Sequence, residues 1–131
     1  MHLPEETTII FQFNDCPNIT LDVRPIIHPQ RTLFGLAYLI PASMMETSPA
    51  PKKFMLFMNS KALCEAAAKM LHERLPRSLC HQVVWVHADM SREFNRRMLE
   101  ALRRGDIYGV CCTDTAGMGI DNPDIGMVVQ Y

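Results

Sequence analysis

The sequence lacks charge of one sign. Thirteen Lys and Arg stand against fourteen Asp and Glu, a formal net charge of −1. No basic sheath surrounds such a chain, so any contact with nucleic acid must be local, through a groove. It also lacks paired cysteines. Its five (Cys16, Cys64, Cys80, Cys111 and Cys112) show no C-x-x-C spacing. An odd count without a secretory segment argues for a reducing compartment rather than a disulfide scaffold. Cys80-His81 makes no zinc site, because zinc takes about four ligands at fixed spacing. There is no apolar leader, since Met1 to Glu6 include Pro4, Glu5 and Glu6. Every apolar run falls well short of the roughly 20 residues that span a bilayer. Internal repeats are absent. These absences lead us to expect a soluble, intracellular protein that binds no metal.

What is present is the pattern of one α/β domain. The length, 131 residues, suits a single domain, and 48% hydrophobic residues can build its core. Ile19, Leu21 and Val23 alternate with Thr20, Asp22 and Arg24, the period of a half-buried strand. Leu33, Leu36, Ala37 and Ile40 then mark one face of a helix running to Pro41. Residues 41–53 read as a Pro-rich loop, with Pro41, Pro49 and Pro51.

Three continuous apolar runs, Phe54 to Met58, Val83 to Val86 and Tyr108 to Cys112, look like parallel strands covered on both faces. A fourth buried strand is expected over Ile125 to Val129. Ser60 and Ser91 stand where they can cap two helices. The first should bury Leu63, Ala66, Ala67, Met70 and Leu71. The second should bury Phe94, Met98, Leu99 and Leu102. It should close on Arg103 and Arg104, which suit the negative helix end, and on Gly105 in the left-handed stop position. Strand–helix alternation of this kind predicts βαβ units and a mainly parallel sheet of about five strands.

In open α/β sheets, ligands sit beyond the carboxyl ends of the strands. The segments just after the three buried strands are Asn59-Ser60-Lys61, His87-Ala88-Asp89-Met90, and Thr113-Asp114-Thr115-Ala116-Gly117-Met118-Gly119-Ile120-Asp121-Asn122-Pro123. Hydroxyl and amide side chains, with helix N-termini behind them, can hold phosphates without reading a sequence of bases.

These segments resemble conserved motifs of superfamily 2 helicases. Thr113 to Ile125 is similar to helicase motif V, with the apolar tail Gly126-Met127-Val128-Val129-Gln130-Tyr131. Phe54 to Lys61 resembles motif IV. His87-Ala88-Asp89-Met90-Ser91 and the helix after it resemble the corresponding stretch of RecQ-type DNA helicases. Asp15-Cys16-Pro17-Asn18-Ile19 resembles the segment that enters their second lobe. The Gly117-Met118-Gly119 step is similar to RecQ, whereas DEAD-box RNA helicases usually carry Arg-Gly there. The likeness runs from about Phe13 to Tyr131.

The resemblance implies a three-layer α/β sandwich, the RecA-like C-terminal lobe of a helicase. It further implies truncation at its C-terminus, with a helix and an edge strand to follow. It implies a 3′ to 5′ DNA helicase as the intact protein, nuclear if eukaryotic, with an N-terminal RecA-like lobe as partner and single-stranded or partly duplex DNA as substrate. Asn59, Ser60, His87 and Thr113 would line the nucleic-acid track. Gly119 and Asp121 would face the ATP cleft, with ATP and Mg2+ bound only between two lobes.

Catalytic residues are not expected in this chain. It has no G-x-x-x-x-G-K-[ST] loop and no Asp-Glu-x-His motif. It ends before the motif whose arginine, in such enzymes, contributes ~10³–10⁵ in rate. A catalytically silent nucleic-acid- or protein-binding module is therefore one alternative expectation, and a DEAD-box-like RNA helicase lobe, against which the Gly117-Met118-Gly119 step argues, is another.

Two departures from the family pattern stand out. Cys111-Cys112 occupies strand positions usually held by small or β-branched residues, and Asp89 stands where a glycine is usual after His-Ala. Several residues also have ordinary readings. Asp121 could simply brace the turn before Pro123, and His87 could be a satisfied histidine at the core edge. His2, His28, His72 and His81 read as surface residues. Arg92, Arg96, Arg97, Arg103 and Arg104 could form a nucleic-acid patch, but their ordinary reading is a solvated helix face. Cys111 and Cys112 should point to opposite faces of their strand.

Overall fold

The computed structural model describes residues 17–114 and 124–131. Four strands form one sheet: β1 (Phe54–Phe57), β2 (Val83–Val86), β3 (Gly109–Cys112) and β4 (Met127–Gln130). Their order is β2-β3-β1-β4, and every neighbouring pair is parallel. Among the described residues two α-helices, α1 (Lys61–His72) and α2 (Arg92–Arg104), pack on its two faces. The three layers and the all-parallel pairing are those of a RecA-like lobe. Four strands rather than about five are found among the described residues, and β4, at the edge of the sheet, is not buried as expected: Val128 is 64% exposed.

The two faces divide the strand residues by parity. Phe54, Leu56, Val83 and Cys111 pack with Cys64, Ala67, Ala68 and Leu71 of α1 on one side. Met55, Val86, Val110 and Cys112 pack with Ala101 and Leu102 of α2 on the other. Adjacent Cys111 and Cys112 thus lie in different clusters, as a strand requires. Burial raises their thiols, Cys112 to about 12, and raises that of Cys64 to about 11. All three behave as small apolar residues. On α1 the buried stripe is offset from the expected one: Cys64 and Ala68 are buried and Ala66 is exposed. The small side chains of Ala67 and Ala68 let the helix lie close to the sheet. On α2, Phe94 is 38% exposed and Leu102 fully buried, so that helix touches the sheet mainly through its C-terminal half.

Caps fix both helices where the sequence places them. Ser60 Oγ accepts from Leu63 N–H at 3.2 Å, and Ser91 Oγ accepts from Phe94 N–H at 3.1 Å. Gly105 closes α2 at φ 87°. The five arginines of α2 are exposed.

The N-terminal expectations need correction. Ile19, Leu21 and Val23 form no strand. They are 58%, 90% and 94% exposed, because their alternation finds no neighbouring strand to pair with. Residues 33–40 bury Leu33, Leu36, Ala37, Leu39 and Ile40, but as a 3-10 helix over Phe34–Leu39 rather than an α-helix. Leu33 sits at φ 55°, a left-handed conformation that interrupts the helical path and costs a non-glycine residue roughly 1–2 kcal/mol. Its burial, at 3% exposure, offsets that cost. Residues 41–53 hold turns and no helix or strand. His72 is not a surface residue: its Nε2 lies 2.7 Å from the Val83 carbonyl oxygen.

Candidate nucleic-acid interface

The sheet register levels the carboxyl ends of all four strands. Val86 pairs with Cys112, Cys112 with Phe57, and Phe57 with Gln130. The next residues along the edge are therefore His87, Thr113, Met58 and Tyr131, in that spatial order. Backbone bonds carry the ladder one step further, from Met58 N–H to Cys112 O at 2.9 Å and from Tyr131 N–H to Phe57 O at 3.0 Å. With strands spaced ~4.8 Å apart, this edge is about 14 Å long.

Of the residues expected on a nucleic-acid track, the fold brings Asn59, Ser60, His87 and Thr113 to this edge. They differ in what they present. Asn59 and Ser60 are exposed, and Thr113 is half-buried. Ser60 spends one acceptor site on the helix cap, while its hydroxyl proton stays available. Asn59 borders a recess of about 180 Å³ with Gln30, Arg31, Leu63 and Tyr131. Tyr131 Oη donates to Gln30 O at 3.3 Å, which fixes the ring across the recess.

His87 is enclosed, at 8% exposure. Its Nε2 faces Glu65 of α1 at 3.4 Å. Its carbonyl accepts from Met90 N–H at 3.1 Å and from Asn95 Nδ2 at 3.2 Å. The imidazole thus joins α1 to the loop after β2, and its Nδ1 has no partner among the described residues. Gly119 and Asp121, expected in the ATP cleft, lie outside the described residues.

Three features of the edge were not singled out from the sequence. The first is the recess, because Gln30 and Arg31 reach Asn59 only through the tertiary path of the 3-10 segment. The second is the aromatic wall supplied by Tyr131. The third is an ion pair between Lys61 Nζ and Asp89 Oδ1, which ties the N-terminus of α1 to the loop after β2. Lys61 holds the Asp89 carboxyl below the usual carboxylate range, first through its hydrogen bond and then through its charge. Met90 N–H bonds back to His87 O, so Ala88 and Asp89 are the middle of a tight turn. Asp89 does not have positive φ. The turn therefore does not require glycine there, and what Asp89 changes is charge rather than backbone shape.

At the opposite, amino end of the sheet a second ion pair joins Lys53 to Asp124, and Lys53 Nζ also donates to Arg103 O at 3.1 Å. Here too the lysine lowers the carboxyl pKa of its partner, chiefly by hydrogen bonding. No described helix is long and apolar enough to cross a membrane.

Comparison with known proteins agrees with this architecture. The chain is similar to pre-mRNA-splicing ATP-dependent RNA helicase PRP28 of several fungi. It is 31% identical over 88 residues to the Schizosaccharomyces pombe protein, covering 67% of this chain and 12% of that one. The figures are 30% over 88 residues, 67% and 11%, for Cryptococcus neoformans, and 28% over 89 residues, 68% and 12%, for Pyricularia oryzae. The chain therefore spans about a tenth of the length of these curated relatives. All three are named as RNA helicases, so the expected likeness to RecQ-type DNA helicases gains no support from them. That likeness leaned on short stretches, His87 to Ser91, Asp15 to Ile19 and the Gly117-Met118-Gly119 step, which weigh less than identity spread over 88 residues. The family model for the helicase conserved C-terminal domain matches residues 36–131, and this chain belongs to that family.

Proposed function

We propose that the chain is the second lobe of an ATP-driven RNA helicase and that the carboxyl edge of its sheet carries single-stranded RNA. One observation bears most of this reading: Asn59, Ser60 and Thr113 stand on neighbouring strand ends of a helicase C-terminal fold. Their amide and hydroxyl groups suit phosphate and ribose oxygens, and they read no base sequence. Tyr131 and Arg31 beside the recess offer a stacking surface for one base. The RNA assignment follows the named activity of the relatives. A 3′ to 5′ DNA helicase of RecQ type is the second reading, favoured by the Gly117-Met118-Gly119 step.

The described edge offers no Gly-Lys-Ser/Thr loop for a triphosphate. The phosphates and Mg2+ accordingly fall to an N-terminal lobe, with Gly119 and Asp121 completing the cleft. In that setting ATP hydrolysis supplies the work of strand separation. The part played by this lobe's own residues is to hold the strand in place while the lobes close. Action inside a cell, and in the nucleus of a eukaryote, accords with splicing relatives.

Fluorescence anisotropy with a 12-nucleotide oligouridylate and its deoxy counterpart tests the reading. RNA should bind weakly, with affinity falling as salt rises, and more tightly than DNA. Asn59→Ala with Thr113→Ala should weaken RNA binding roughly ten- to thirtyfold, as for two hydrogen bonds worth about 1 kcal/mol each. Unchanged affinity in the double variant contradicts the proposed track. Tighter binding of DNA favours the second reading. Absence of binding to either, at low salt, leaves a silent protein-binding module.

A further inference from the structure

Lys61 is the lysine that stands at the RNA edge, one residue beyond the Ser60 cap and two beyond Asn59. It is not free there. Its ammonium is paired with Asp89, which projects from the turn after β2 across the same edge. Both side chains are open to water, 47% exposed for Lys61 and 66% for Asp89. Neither is held by a second ion pair among the described residues. The His87–Met90 turn has no conformational need for this residue, as its backbone is of an ordinary kind. The carboxylate also works against the proposed ligand, because it lies on the face where an anionic strand would run.

We infer that Asp89 is an intramolecular competitor for RNA phosphate: its carboxylate occupies Lys61 in the free lobe, and the strand must displace it to gain the lysine. This inference rests on the RNA-edge reading above. A carboxylate and a phosphate oxygen offer the same acceptor chemistry to an ammonium group. The exchange therefore swaps one charge-assisted hydrogen bond for another and requires no change of fold. It releases Asp89 next to the strand, so the net gain from Lys61 is small in the natural chain. The device weakens and sharpens binding together. A strand that reaches only Asn59 and Thr113 gains nothing from Lys61, whereas one seated along the whole edge opens the pair.

Asp89→Asn keeps the size of the side chain and removes the competitor. With the oligouridylate probe, this variant should bind about two- to fivefold tighter than the natural chain, the range given by an exposed ion pair. Its plot of log affinity against log salt should steepen by about 0.7, the mark of one further phosphate contact on a single strand. Lys61→Gln placed in the Asp89→Asn background should erase both changes. Equal affinity and equal salt slope for Asp89→Asn and the natural chain would overturn the inference while leaving the RNA edge intact. A gain that survives Lys61→Gln would overturn it as well, since Asp89 would then act by plain repulsion. If neither the natural chain nor Asp89→Asn binds RNA at low salt, the reading beneath the inference fails and the inference falls with it. Circular dichroism should show the same fold for all variants, since both positions are solvent-facing.

Discussion

The two ends of the sheet each carry a lysine–aspartate pair, and the pairs are built differently. At the amino end, Lys53 is 17% exposed and bonds both Asp124 and the carbonyl of Arg103. One ammonium group thereby joins the entry to β1, the last turn of α2 and the approach to β4. At the carboxyl end, Lys61 is 47% exposed and its one ion-pair partner among the described residues is Asp89. A lysine with two partners and little water is a brace. One with a single partner, facing water, can exchange that partner for another anion. Charge type is the same in both; burial and connectivity decide the role.

If the two ends are independent, damage to the amino end should leave the other untouched. Gly109 opens β3, and a side chain there would run into the buried ring of Phe54. Gly109→Ala should lower the stability to urea by about 1–3 kcal/mol, the usual cost of overpacking. The RNA affinity of the fraction that remains folded should not change. Loss of affinity in folded protein would mean that the two ends are not independent.

A smaller effect concerns acid. The Asp124 carboxyl is held below its ordinary value by Lys53. A depressed carboxylate adds stability that is fully present above its unfolded pKa of about 3.9 and is lost as the pH falls through the folded value. Between pH 5 and pH 3 the natural chain should therefore lose more of its urea midpoint than Asp124→Asn does. Parallel curves would remove the brace role from Lys53. The smallest effect belongs to the carboxyl end, where Asp89→Asn should leave the melting temperature unchanged, because an exposed pair adds little to folding.

Three strands of the sheet were legible in the sequence because they are covered on both faces. Phe54 to Met58, Val83 to Val86 and Tyr108 to Cys112 read as continuous apolar runs, and their alternation with helices separated them from the equally apolar residues 34–39, which form a 3-10 helix. The helix starts were legible from Ser60 and Ser91 and the stop of α2 from Gly105, whose roles are local. What stayed hidden depends on tertiary partners. Ile19 to Val23 carries a strand's alternation, yet alternation shows only that a strand could form, not that a neighbour is present. The 3-10 path of residues 34–39 follows from Leu33 taking a left-handed conformation, which leucine does not advertise. At the edge, residue types and motif order indicated Asn59, Ser60, His87 and Thr113. The enclosure of His87 by Glu65 and Asn95 was not visible, because those residues lie on two different helices. Nor was the Lys61–Asp89 pair, whose members are 28 residues apart.

Whether single-stranded RNA runs along the carboxyl edge can be read by titrating the isotopically labelled chain with oligouridylate and following backbone amide resonances. Shifts are expected at Asn59, Ser60, Lys61, Asp89, Thr113 and Tyr131, with Lys53, Gly105 and Asp106 at the far end unmoved. Shifts confined to the amino end, or to the exposed arginine face of α2, would contradict that path.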